Sequence, residues 1–216
     1  MEKEKVVALC SGGFDSIVML NDLARNPTYE VHTLFFIYGQ KNEVQEENYV
    51  RYWVARLGIY ENSLAITLPN FSWSSTSMTG NSEVIDYSDI KSQYVPMRNM
   101  IFASYALSYA ESVKASKVFI ALLGGGTYPD TTTDFIFSLN EIAGDIGVEV
   151  ITPFISHDKY YLLSRAIEYG VIDPVKRICN FFSCNTPVNN NPCGKCPDCI
   201  SIQEMLNKPL DDCNVL

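Results

Sequence analysis

The sequence has no Gly-x-x-x-x-Gly-Lys-Ser/Thr and no Gly-x-Gly-x-x-Gly, so two common phosphate-binding loops are excluded by spelling. It has no cluster of Lys or Arg: 16 basic residues face 25 acidic ones, for a net charge of −9. A nucleic-acid binder usually shows a basic excess or stripe, so a large RNA or DNA partner is not expected. No apolar run approaches the roughly 20 residues of a membrane helix. The opening MEKEK is charged and leads straight into an apolar strand-like run, unlike a signal peptide, so a cytoplasmic protein with no membrane partner is expected. There is no internal repeat and no low-complexity tract. Histidine is scarce, with His32 and His157 alone. His32 falls inside a strand and reads as structural, whereas His157 falls beside Asp158-Lys159.

What is present is an ordinary globular balance, 47% hydrophobic and 19% charged, over 216 residues. That supports one sizeable core with a small appendage. Short β-branched runs alternate with helical periodicity. Strands are expected at KVVALC, YEVHTLFFI, SLAITL, KVFIAL and VEVITP. Helices are expected over 15–25, 42–57, 99–113, 134–146 and 159–169, with a last short one over 200–206. This alternation predicts an α/β fold, a Rossmann-like parallel five-stranded sheet with helices on both faces. The expected division is residues 1–172 for this domain and 173–216 for a small C-terminal lobe, where Cys, Asn and Pro become dense. In such sheets ligands bind at the carboxyl ends of the strands. The chemistry should then lie in loops 11–16, 38–42, 96–99, 123–131 and 153–159. Residues 69–95 are Ser/Thr/Asn/Asp-rich and long for a connection inside a domain.

At the first strand–helix junction stands Ser11-Gly12-Gly13-Phe14-Asp15-Ser16. A helix N-terminus offers unpaired N–H groups and partial positive charge, and glycine lets backbone approach an anion closely. The natural guest is a phosphate or pyrophosphate. A plainer alternative is a Gly-rich turn capped by Ser11 or Asp15. The segment resembles the Ser-Gly-Gly-x-Asp-Ser loop of the PP-loop ATP pyrophosphatases. The resemblance implies ATP as substrate, cleaved between its α and β phosphates. It implies that Asp15 helps hold Mg²⁺ or orients the loop.

Seven cysteines are present, and Cys184, Cys193, Cys196 and Cys199 follow a spacing of eight, two and two intervening residues. In a cytosolic chain this density points to metal before disulfides. Two consecutive Cys-x-x-Cys steps plus a more distant cysteine suit a closed tetrahedral Zn²⁺ site. An iron–sulfur cluster is the rival. A fourth cysteine at hand and the lack of any other redox motif favour a structural zinc. Cys10, Cys179 and Cys213 fall outside the pattern, and Cys10 reads as core packing.

Taken with the cysteine spacing, several short segments resemble the QueC family of 7-cyano-7-deazaguanine synthases. These are Ser11–Ser16, Tyr38-Gly39-Gln40, Val95–Asn99 (similar to Val-Pro-Gly-Arg-Asn), Tyr128-Pro129-Asp130 and Asp158-Lys159, in that order along most of the chain. The resemblance implies adenylation of the carboxylate of 7-carboxy-7-deazaguanine with release of pyrophosphate. Ammonia then displaces AMP to give an amide, and a second adenylation leads to the nitrile. It implies catalytic roles for Asp15, Arg98 and Lys159. ATP contacts are implied for Ser11, Gly12, Gly13, Phe14, Asp15, Ser16, Tyr38, Gln40, Arg98 and Asn99. For Arg98 and Lys159 the plainer alternative is solvated surface charge. Substrate contacts would fall to Tyr128 and Asp130, with Asp134 as a further acid in the same loop. Ile37 and Asn42 replace an acid and a histidine of the family pattern, and Thr131-Thr132 replace Cys-Arg. The nucleotide half is thus retained while the deazaguanine half is altered. Three alternatives follow: a plain synthase taking ammonia as amine donor; a specialised relative, such as one in antiphage defence, that transfers the activated acid to an amine of a protein or other acceptor; and a non-catalytic zinc-binding partner. The resemblance also implies a homodimer, and the long 69–95 segment, with Phe71 and Trp73 at its start, is expected to be partly buried in it.

Overall fold

The computed structural model describes residues 2–206 except 70, 72, 73, 75, 80–89, 125, 127, 174 and 177. Trp73 and Cys213, and most of the middle of the 69–95 segment, lie outside the described residues. The central strand β1 (Glu4–Leu9) lies between β2 (Tyr29–Ile37) and β4 (Lys117–Phe119). β3 (Ser63–Thr67) closes one edge and β5 (Glu149–Ile151) the other, giving the order β3-β2-β1-β4-β5. All four pairings are parallel, with Val6 opposite Val31 and Val7 opposite Val118.

The two-residue period of β1 distributes its side chains between two cores. Val6 and Ala8 join the cluster built on α1 (Phe14–Arg25), α2 (Glu43–Arg56) and α5 (Lys159–Glu168). Val7 and Leu9 join the cluster built on α3 (Arg98–Val113) and α4 (Thr133–Gly144). Val6, Val7 and Ala8 are fully buried, as a central strand covered on both faces requires. No helix among the described residues is long and apolar enough to cross a membrane.

Two departures from the expected elements bear on function. The strand in the apolar run KVFIAL ends at Phe119, with the Ile120 N–H still donating to the Ile151 carbonyl (3.0 Å), and Ile120, Ala121 and Leu122 become a cavity wall. The C-terminal segment carries a small antiparallel pair, β6 (Ile172–Asp173) and β7 (Ile178–Cys179), that the sequence pattern did not signal because each strand has only two residues. Its helix α6 (Pro197–Leu206) begins at Pro197, ahead of the expected start at Ile200. Proline suits a first helical position, where its missing N–H is not needed. Phe182, Cys196, Cys199 and Ile202 pack into the same core as Ile17 and Trp53, so these residues of the C-terminal segment share the core of the main sheet.

Candidate active site

The loop between β1 and α1 is laced by its two serines. Ser16 Oγ accepts from the Ser11 N–H (3.2 Å) and donates to the Gly13 carbonyl (3.0 Å). Ser11 Oγ accepts from the Gly13 N–H (3.3 Å). Gly13 is the N-cap of α1 and has no side chain to cap it with; Ser11 Oγ takes the Gly13 N–H and Ser183 Oγ the Phe14 N–H instead. The C-terminal segment braces the loop from outside: the Phe182 N–H donates to the Gly12 carbonyl (2.9 Å), and the Phe14 N–H donates to Ser183 Oγ (3.0 Å). Phe14, expected as a nucleotide contact, therefore has its amide engaged by Ser183.

Asp15 follows at the first turn of α1. Burial pushes its carboxyl up to about 6, against the pull of Lys159 and with Asp198 adding to the rise. Its Oδ1 is buried without a hydrogen-bond partner. An orphaned carboxylate oxygen at a helix start is costly unless a cation or donor meets it. Lys159 Nζ donates to Asp198 Oδ1 at 2.9 Å. Burial disfavours the Lys159 charge, but Asp198 and Asp15 outweigh it and hold its pKa above the ordinary lysine value.

Across the cavity, α3 begins with Met97 as N-cap at φ 51° and ψ 30°. That left-handed geometry brings Arg98 and Asn99 inward. Arg98 Nη1 donates to the Tyr38 hydroxyl (3.1 Å), and its guanidinium lies 5.9 Å from the Tyr38 and Phe102 ring centres. Desolvation opposes the Arg98 charge, yet Tyr38, Glu46 and Asp130 hold its pKa above the usual value. The Asn99 N–H donates to Asp130 Oδ2 (2.7 Å), and Asn99 Nδ2 donates to the Asp130 carbonyl (3.2 Å). Tyr128 stacks on Tyr94 with ring centres 4.9 Å apart.

The segment after β2 contributes an acid that sequence reading missed. Glu46 lines the cavity from α2. Its carboxylate accepts from Asn42 Nδ2 (3.0 Å) and Gln40 Nε2 (3.3 Å). Burial pushes it up to about 8, against the stabilising effect of Gln40, Arg98 and Asn42. A signal was available: Asn42, Glu46, Tyr49 and Trp53 recur at helical spacing, so Glu46 is an acid on a buried stripe. Gln40 itself is turned inward, accepting from the Tyr38 N–H (2.8 Å) and donating to the Phe36 carbonyl (2.9 Å).

These groups enclose one cavity of about 410 Å³. Ser11, Gly13, Asp15, Ser16, Tyr38, Arg98, Asn99, Tyr128 and Asp130 all line it, together with Glu46, Ser183, Asn185 and Asp198. Five expected site residues do not. Gly12 and Phe14 are bound to the C-terminal segment, Gln40 to Phe36, Tyr38 and Glu46, and Lys159 reaches the cavity edge through Asp198. Asp134 is exposed on α4: Thr132 Oγ1 caps that helix by accepting from the Phe135 N–H (3.1 Å), which turns Asp134 to solvent. Asp134 is therefore corrected to a surface residue. His157 stacks on Tyr161 (3.7 Å) outside the cavity lining, while His32 lies between Tyr109 (3.1 Å) and Glu30 (3.3 Å) as a structural residue.

Cys184, Cys193, Cys196 and Cys199 converge with all four sulfurs within 4.8 Å of one another. Thiolates at about 2.3 Å from a common tetrahedral centre would lie roughly 3.8 Å apart, and the Cys193 and Cys199 sulfurs are 3.9 Å apart. Cys193 Sγ accepts from the Cys196 N–H (3.3 Å) and Thr186 Oγ1 (3.3 Å), and Cys196 Sγ accepts from the Cys199 N–H (3.4 Å). Such donors suit sulfur in the charged, metal-binding form. The donor set fits a metal ion.

Sheet order, loop and cavity together define a PP-loop ATPase fold. The chain is structurally similar to the U34-tRNA thiolase NcsA from Methanococcus maripaludis, with a TM-score of 0.51 and 15% identity, over 96% of this chain and 65% of that one. The family model of the queuosine biosynthesis protein QueC matches residues 5–209. The 7-cyano-7-deazaguanine synthase of Marinomonas sp. (strain MWYL1) is 33% identical over 205 residues, covering 91% of this chain and 90% of that protein. The synthase of Rickettsia felis is 33% identical over 213 residues, covering 91% and 92%. The chain belongs to the QueC family.

Proposed function

We propose that the protein is an ATP-dependent synthase that converts 7-carboxy-7-deazaguanine to 7-cyano-7-deazaguanine by successive adenylations. The observation that carries this is the cavity itself: the Ser11–Ser16 loop, Arg98 and the aromatic pair Tyr94–Tyr128 face one space. Ser11, Gly13 and Ser16 would hold the β and γ phosphates at the positive end of α1. Arg98 and Lys159 would meet the charge that develops as pyrophosphate departs. Asp15, with its orphaned Oδ1, is the residue to hold Mg²⁺, which when bound neutralises phosphate charge. Tyr128 would offer its ring to the deazaguanine. Asp130 acts through Asn99, orienting the start of α3. The substrate carboxylate attacks the α-phosphorus, pyrophosphate leaves, and ammonia displaces AMP to form the amide. Adenylation of the amide oxygen and loss of AMP then yield the nitrile. Cys184, Cys193, Cys196 and Cys199 would hold Zn²⁺, which supplies a crosslink when bound.

The test is mass spectrometry after incubation with ATP, Mg²⁺, ammonium and 7-carboxy-7-deazaguanine. The expected result is nitrile, with AMP and pyrophosphate as co-products. ADP and phosphate, or no AMP release with this acid, would overturn the reading.

A further inference from the structure

Asp198 stands between two of the clustered cysteines, Cys196 and Cys199, on the first turn of α6. It also lines the nucleotide-facing cavity. Its Oδ1 accepts from Lys159 Nζ at 2.9 Å, and its Oδ2 accepts from Asn185 Nδ2 at 2.7 Å. Asn185 Nδ2 in turn donates to Gln93 Oε1 at 3.1 Å. Groups from separate segments thus set the direction of one carboxylate.

Lys159 needs such a partner. It is the first residue of α5, directly after the N-cap Asp158. A helix N-terminus carries partial positive charge, so an ammonium there is disfavoured. A lysine stem is long enough to carry an unpaired ammonium out to water. Instead the side chain is only 13% exposed, turned toward Asp198. An ammonium has three N–H donors. The bond to Asp198 uses one of them and orients the others.

We propose that Asp198 is a positioning residue that aims Lys159 at the departing pyrophosphate, and that the cysteine cluster is the mount for this contact. This rests on the assignment of Lys159 to the phosphates. The C-terminal segment is then a wall of the nucleotide site as well as a crosslink. A displaced Asp198 would leave Lys159 free to swing away from the loop.

The test uses the full chain and the variants D198A and D198N, each with metal content and melting temperature measured. Pulse labelling with an amine-reactive ester, followed by peptide mass spectrometry, reads the accessibility of Lys159 against exposed Lys114. Labelling of Lys159 should be slow in the wild type and several-fold faster in D198A at equal metal content. D198N keeps an oxygen acceptor and should return toward wild type. Stripping metal from the wild type with a chelator should also raise Lys159 labelling. In ATP–pyrophosphate exchange, D198A should lose roughly 10- to 100-fold in kcat, with a much smaller change in KM for ATP. Unchanged labelling in D198A, or faster labelling only where metal has been lost, would overturn the proposal. A wild type that labels as expected yet supports no exchange would sink the nucleotide assignment instead.

Discussion

Gly12 lies against the backbone of Glu46: a Cβ on Gly12 would come within 2.4 Å of the Glu46 carbonyl oxygen, and Gly12 holds a φ of +82°. The glycine is thus required by packing between the loop and α2. G12A should destabilise the fold by more than the ~1–2 kcal/mol of left-handed strain alone, because backbone atoms must also move. G58A provides the contrast, since Gly58 has φ +70° but nothing within 4 Å. Urea denaturation should show a clearly larger loss for G12A. Equal losses would mean that the contact with Glu46 is readily relieved.

Met97 carries strain at the start of α3. Its φ of 51° is left-handed, and its side chain is 42% exposed, so little burial offsets the cost. M97G should stabilise the protein by up to about 1 kcal/mol, or about 2–4 °C in melting temperature for a chain of this size. M97A, still an L-residue with a Cβ, should not. A melting temperature for M97G at or below that of M97A would refute the strain.

Glu46 makes stability depend on pH. Its folded-state pKa is raised from 4.5 to about 8, chiefly by burial, so in that window the native state binds more protons than the unfolded state. Stability from this group is full below the unfolded value and falls as pH rises through the folded one. E46Q should flatten the decline in melting temperature between about pH 4.5 and 8. A profile parallel to wild type would assign the decline to other groups.

The four clustered cysteines should hold one zinc per chain, measurable by elemental analysis. C196S should lose it. Because Phe182 and Ser183 bond to Gly12 and Phe14, metal loss should also speed hydrogen exchange at the Phe14 and Phe182 amides. Iron in place of zinc, or exchange unchanged in the metal-free protein, would count against this.

Local patterns carried much of the fold. The continuous apolar run in KVVALC specifies a doubly covered strand, and Val6 and Val7 indeed enter opposite cores. The Ser11–Ser16 loop stands at the strand–helix junction where its spelling places it. The cysteine spacing brings Cys193, Cys196 and Cys199 together, since they lie within seven consecutive residues, and the fold adds Cys184 so that all four sulfurs lie within 4.8 Å of one another. The site was less legible. Asp134 reads as a pocket acid by its place in the loop, yet the Thr132 cap sets the phase of α4 and turns it outward.

Tertiary structure alone decided which polar groups meet. Asp130 reaches the Asn99 amide across 31 positions of sequence, and Asp198 reaches Lys159 across 39. Glu46 enters the cavity because α2 lies against the loop at Gly12. Helical and strand periods specify which face a residue occupies. They carry no information about which distant face the chain crossovers bring opposite it, and there the burial and pairing of each charge are determined.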